Sequence, residues 1–194
     1  MNTAPTIPEW NNEGILPPIN TADPTSRDRS PYTCALLDFI ERFGTSLERL
    51  EILEGFLEYR AFLHSLGIIE GFHWINGSFV EDKEQLYGNA PNDIDVITYF
   101  NPPASLTKSS LTPEQHGWMF KPEQTKERFK VDGSIMPFGS PSTEDFIEDN
   151  LYWSGLFSHT RTGKWKGFVK ITLKPEQDAI AANHLVKLKQ EFMP

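Results

Sequence analysis

Cysteine is nearly missing from this chain of 194 residues: Cys34 is its only thiol. One thiol cannot form an intrachain disulfide or a cysteine-based metal cluster, and a lone buried side chain is the ordinary outcome. Long apolar runs are missing too. No stretch approaches the ~18 consecutive apolar residues of a membrane span. The opening MNTAPTIPEWNNEG has neither the basic nor the apolar region of a secretory leader. These absences predict a cytoplasmic protein that does not engage a membrane. Positive charge is scarce, with 18 Lys and Arg against 27 Asp and Glu and a net charge of −9. Non-specific affinity for a phosphate backbone comes mainly from cationic side chains that release counterions, so general DNA binding is not expected. Divalent ions would still let an acidic cluster receive phosphates. No internal repeat or low-complexity tract calls for a solenoid or a disordered chain.

What is present supports one folded domain. Aliphatic and aromatic residues make up 38% of the chain, including 14 Phe, 5 Tyr and 5 Trp, enough apolar surface to offset the ordering entropy. Residues 1–33 hold six prolines (Pro5, Pro8, Pro17, Pro18, Pro24, Pro31) and little periodicity. They read as an extended arm laid over the domain or free of it, with Ile15, Leu16 and Tyr32 as anchors. Residues 34–194 form the single domain.

Leu47, Leu50, Leu53, Phe56, Leu57, Leu63 and Leu66 recur at spacings of three and four, which predicts a helix over 45–66. Thr45 and Glu48 form a capping box, Gly67 ends the helix, and Arg49 is turned away with the acids. A shorter helix over 35–43 precedes it. Strands are expected at 68–76, 92–100, 129–135 and 165–173. Helical segments are expected over 112–128 with a break near Lys121 before Pro122, from the Ser140 and Pro141 pair to about Phe157, and over 175–192 with Ile180, Leu185, Leu188 and Phe192 on one stripe. In the last strand Trp165, Val169, Ile171 and Leu173 face inward and Lys166, Phe168 and Lys170 outward. Strands separated by helices at uneven spacing predict an α/β or α+β domain, a mixed β-sheet with helices packed on it.

The chemistry gathers between Trp74 and Phe100. An apolar run ends in Gly77-Ser78; after fourteen intervening residues Asp93-Ile94-Asp95 opens a second apolar run. Glycine lets a backbone approach a phosphate without a Cβ in the way, and Ser78 adds a hydroxyl donor. Strand side chains alternate, so Asp93 and Asp95 emerge on one face, with Ile97 and Tyr99 behind them. Hard divalent ions prefer such oxygens. Two carboxylates can share ions whose charge activates an attacking hydroxyl and stabilises a leaving pyrophosphate. Asp132, on the matching face of a neighbouring strand, would complete three acids, and Glu127 and Asp145 are the alternatives for that place. Lys164, Lys166, Lys170 or Arg161 would neutralise phosphate charge. Against these stand ordinary readings: a solvated turn for Glu81 and Asp82, a satisfied or edge residue for His73, a solvent-facing strand face for the Lys164 to Lys170 alternation, and core packing for Tyr152, Trp153 and Phe157. His64, His116, His159 and His184 have no partner at ligand spacing.

Hydrophobic-Gly-Ser, a spacer, then Asp-hydrophobic-Asp-hydrophobic resembles the signature of the nucleotidyltransferase superfamily that includes DNA polymerase beta and the small MNT-type enzymes. Leu16-Pro17-Pro18, Ser30-Pro31-Tyr32, Arg42-Phe43-Gly44, Trp74 to Glu81, Pro91 to Val96 and Lys166 to Ile171 are similar to a group of small bacterial nucleotidyltransferase-like proteins of uncharacterised function. The resemblance implies a nucleotidyltransferase-like fold. It implies β- and γ-phosphates held at Gly77 and Ser78, beside which Lys166 and Lys170 stand on charge alone, and Mg²⁺ or Mn²⁺ on Asp93, Asp95 and Asp132. The implied activity is transfer of an NMP from an NTP to a hydroxyl of a protein or RNA, with pyrophosphate released. The competing implication is a catalytically weak or inactive nucleotide-binding scaffold paired with a partner protein in a toxin–antitoxin or defence module. A cyclic-dinucleotide or oligoadenylate synthase would need a further helical domain. The sequence departs from the pattern in two places: the spacer is slightly long, implying an insertion around residues 86–89, and Phe79 replaces a small or basic residue.

Overall fold

The computed structural model describes residues 7–139 and 142–192. Five strands, β1 (Tyr32–Thr33), β2 (Gly71–Asn76), β3 (Ile94–Phe100), β4 (Val131–Pro137) and β5 (Val169–Thr172), form one sheet in the order β1-β5-β2-β3-β4. The sheet is mixed: β1 runs parallel to β5 and β3 parallel to β4, whereas β2 is antiparallel to both its neighbours. The chain is therefore an α+β protein.

The helices α1 (Leu36–Phe43) and α2 (Leu47–Ser65) lie side by side in sequence. Capping sits one residue later than the Thr45 box predicts: Ser46 is extended, and its hydroxyl accepts from the Arg49 N–H at 3.3 Å. Gly67 follows the helix at φ 79°, a left-handed conformation that favours glycine. Leu50, Leu53, Phe56 and Leu63 are buried on the expected stripe, and Ile52, Tyr59 and Phe62 join them. Arg49 is buried as well, contrary to its expected outward placement.

The remaining helices are α3 (Lys83–Tyr87), α4 (Pro113–Phe120), α5 (Pro122–Phe129), α6 (Thr143–Phe157) and α7 (Asp178–Phe192). The break between α4 and α5 falls at Lys121, whose ψ of 97° reflects the restriction that Pro122 imposes on its predecessor. The expected start of α6 at Ser140 and Pro141 lies outside the described residues. Ser142 caps that helix, its hydroxyl accepting from the Asp145 N–H at 3.2 Å.

Both faces of the sheet are covered. Ile94, Val96, Phe100 and Val131 join α1, α2 and α7 residues in the larger core, while Ile97, Tyr99, Met136 and Phe168 meet Phe146, Trp153 and Phe157 of α6 on the other face. The alternation expected along 92–100 therefore holds, and each face has its own apolar cover. The same arrangement corrects the last strand. Phe168 is buried beneath α6 rather than outward, Lys166 is buried, and Trp165 is exposed. Regular pairing begins only at Val169, so a period-two reading from Trp165 runs through an irregular approach held by Lys166 N to Ser158 O and Gly167 N to Leu16 O. On α7, Leu185 and Leu188 pack inward as expected, but Ala181 takes the buried place and Ile180 is exposed.

Ile15, Leu16 and Tyr32 are buried, and Tyr32 N donates to Phe168 O at 2.9 Å as β1 joins the sheet edge. His73 is fully buried on central strand β2 rather than at an edge. Its Nδ1 lies 3.1 Å from Thr98 Oγ1, and burial pushes its pKa well below the ordinary value. Cys34 is buried, and its thiol is pushed up to about 12 for the same reason. Among the described residues no helix is long and apolar enough to cross a membrane.

Candidate functional site

The antiparallel register sets Asn76, the last residue of β2, opposite Asp95. The parallel register sets Asp95 opposite Asp132. Asp93 precedes β3 by one residue and shares the face of Asp95. One carboxylate oxygen from each of Asp93, Asp95 and Asp132 lies within 4.8 Å of the others. The three acids therefore meet at one end of the sheet, where β2 stops and the chain turns through Gly77 and Ser78. The two alternatives for the third acid are elsewhere: Asp145 is at the start of α6, and Glu127 is exposed on α5.

Gly77 has φ 80° and ψ −170°, a backbone region closed to most L-residues, and a Cβ there would lie 2.4 Å from Asp95 Oδ2. The following single 3₁₀ turn, Ser78–Val80, is fastened from behind. Lys166 Nζ donates to Gly77 O at 3.1 Å, Arg49 Nη1 to Phe79 O at 2.6 Å, Trp10 Nε1 to Val80 O at 2.8 Å, and Arg49 Nη2 to Glu81 O at 2.7 Å. Arg49 also grips the Glu84 carboxylate through Nε and Nη2 at 2.7 and 2.8 Å. A fork of this kind fixes direction as well as distance. Phe79, the departure noted in the sequence, is fully buried against Phe39 and Phe43. It anchors the turn in the core, where a basic side chain would have no aqueous exit.

Two lysines line the cavity with the acids. Lys166 is only 3% exposed and forms an ion pair with Glu81. Burial lowers its pKa, opposed by the Glu81 charge. Glu81 is thus an internal partner of Lys166, not a solvated turn residue; Asp82 caps α3 by accepting from Gln85 N at 3.4 Å. Lys126 of α5 is half exposed, is hydrogen-bonded to Asp93 and lies 3.9 Å from Asp132 Oδ2. That hydrogen bond raises its pKa. Sequence reading missed Lys126 altogether. Its one signal is position, six residues before Asp132 in a helix that leads into the strand carrying that acid. Asp95 titrates at about 6, raised first by burial and then by the charges of Asp93 and Asp132.

The acids and the turn line a cavity of about 760 Å³, inside the range typical of small-molecule sites. Gly77, Ser78, Lys126 and Lys166 are among its lining residues, together with Trp153 and Phe157 of α6 and Arg161. Asn76 Nδ2 donates to Phe157 O at 3.0 Å, tying the end of β2 to the end of α6. The structure does not bring Lys170 to this cavity: its ammonium sits 4.1 Å from the centre of the Phe72 ring. Lys170 pairs with Trp74 in the β2–β5 register, whereas the turn lies beyond Asn76, and the side chain is held over Phe72 by the cation–π attraction. Lys164 instead pairs with Glu13 on the surface.

Three converging carboxylates form an oxygen-only donor set suited to a hard divalent cation such as Mg²⁺ or Mn²⁺. The Lys126 ammonium against Asp93 is itself a positive charge resting on that set. The residues present therefore fit a divalent ion. One protein-family model matches the chain over residues 8–172, described as a family of unknown function (DUF6932). No curated protein and no solved structure matches the chain.

Proposed function

The chain belongs to the DUF6932 family, and from the chemistry of its cavity we propose that it is a Mg²⁺- or Mn²⁺-dependent nucleotidyltransferase that moves an NMP from an NTP to a hydroxyl of a protein or RNA. The observation that carries this reading is the convergence of Asp93, Asp95 and Asp132 within 4.8 Å beside the Gly77-Ser78 turn. The resemblance of hydrophobic-Gly-Ser and Asp-Ile-Asp to the nucleotidyltransferase signature agrees with it.

Asp93, Asp95 and Asp132 would hold the divalent ions, which when bound activate the acceptor hydroxyl and stabilise the departing pyrophosphate. The acceptor oxygen forms a bond to the α-phosphorus as the bond to the pyrophosphate oxygen breaks, and the hydroxyl proton is released to water. Gly77 and Ser78 hold the β- and γ-phosphates against a turn already ordered by Arg49, Trp10 and Lys166, so little conformational entropy is lost on binding. Trp153, on the cavity lining, offers a π face to the base. An NTP-consuming reaction of this kind belongs in the cytoplasm.

The test is pyrophosphate release from an NTP supplied with Mn²⁺ and a panel of protein and RNA acceptors. Release by the native chain that disappears in Asp93→Ala and Asp95→Ala supports the proposal. Release unchanged by both substitutions sinks it. Nucleotide binding without turnover on any acceptor would favour a binding scaffold acting with a partner protein.

A further inference from the structure

We infer that Lys126 is the resident cation of the acid cluster, displaced from Asp93 when a divalent ion enters and taken up by the phosphates of the nucleotide. The inference rests on the metal-and-nucleotide reading above and adds a coupling between the two ligands.

The two lysines at the cavity differ in their freedom to move. Lys166 is 3% exposed and is bound at once by Gly77 O and the Glu81 carboxylate, so it stays with the turn. Lys126 is 48% exposed; Asp93 and Asp132 are the acids within reach of its ammonium, and its stem is a flexible four-carbon chain. Three carboxylates drawn within 4.8 Å repel one another, and the Lys126 ammonium offsets part of that repulsion. A divalent ion seated on Asp93 would both replace this partner and repel the ammonium at close range. Lys126 lines the same cavity as Gly77 and Ser78. A triphosphate bound in that cavity is then a new anion for it to pair with, once Asp93 and Asp132 are shared with the metal. Metal entry costs one ion pair when no nucleotide is bound, and that cost is returned when phosphates accept the lysine. Each ligand therefore strengthens the other by the same factor.

The test is calorimetry on the full chain and on Lys126→Met, first with Mn²⁺ alone and then with a non-hydrolysable NTP at saturating Mn²⁺. The two arms have opposite signs. Lys126→Met should bind Mn²⁺ alone up to about fivefold more tightly, because a half-exposed ion pair no longer competes, and should bind the nucleotide more weakly. General damage to the site would weaken both. Equal or weaker Mn²⁺ binding by the variant overturns the inference while leaving the metal site intact. Tighter Mn²⁺ binding with unchanged nucleotide affinity overturns the transfer to phosphate. If neither chain binds Mn²⁺, the inference and the functional proposal fail together.

Discussion

Gly77 and Asp95 occupy each other's space: a Cβ on the glycine would lie 2.4 Å from the aspartate's Oδ2. The turn and the carboxylate belong to adjacent antiparallel strands, and the pairing of Asn76 with Asp95 creates the approach. The turn proposed to hold phosphate and the carboxylate proposed to bind metal are thereby built as one unit, and the glycine is required by both its φ and its neighbour.

Gly77→Ala should therefore damage the site and the fold together. An alanine at φ 80° and ψ −170°, a region open essentially to glycine alone, costs about 1–3 kcal/mol, and the contact with Asp95 adds to it. Thermal unfolding should show a fall of several degrees, with nucleotide affinity falling alongside. An alanine variant with native Tm and native affinity would contradict the close approach.

Asp95 holds a strained charge. Its folded pKa of about 6 lies above the ordinary 3.8, so the carboxylate costs stability at pH values above about 6. The cost is relieved as pH falls through 6 toward 4, since the folded state then binds a proton that the unfolded state has released. In metal-free buffer Asp95→Asn should be more stable than the native chain at pH 7.5 by about 1–3 kcal/mol. The gap should narrow to about half at pH 5 and close only below about pH 4. Urea unfolding in a chelator at both pH values measures it, and a native chain more stable than the variant at pH 7.5 gives the wrong sign. Saturating Mn²⁺ should reverse the order, because the ion stabilises only the protein that binds it.

The first strands and helices were readable because their periodicity is strong and local. The face shared by Asp93 and Asp95 followed from strand alternation alone, and the position of Asp132 needed only that a third strand lie next in the sheet. The parallel β3–β4 register that places it opposite Asp95 is a long-range fact that alternation cannot supply. The last strand misled for the same reason. A sheet covered on both faces buries residues of both parities, so Lys166 and Phe168 were read as outward when each has an internal partner. Glu81 and Arg49 look like surface letters in sequence. Their partners, Lys166 and the carbonyls of Phe79 and Glu81, lie ~30 to 85 residues away in the chain, and only the folded backbone brings them together.

The Lys166–Glu81 pair supports the turn from below, and removing one member leaves the other charge buried. Lys166→Met should destabilise by about 3–5 kcal/mol, and Lys166→Met with Glu81→Leu should recover much of that loss. A double-mutant cycle in urea reads the coupling. Additive losses would show that the pair is not the support.

Lys170 offers the contrast. Its ammonium lies over Phe72 and away from the cavity, so Lys170→Ala should leave nucleotide affinity within about twofold of native and cost under about 1 kcal/mol of stability. A tenfold loss of nucleotide affinity would return Lys170 to the site.

The most direct measurement of the central claim is a crystal structure with Mn²⁺ and a non-hydrolysable NTP, using the anomalous signal of manganese. The expected result is at least one peak coordinated by Asp93 and Asp95, with triphosphate density over Gly77 and Ser78 and the Lys126 ammonium moved from Asp93 to a phosphate. A cavity filled by nucleotide with no anomalous peak between those aspartates would contradict it.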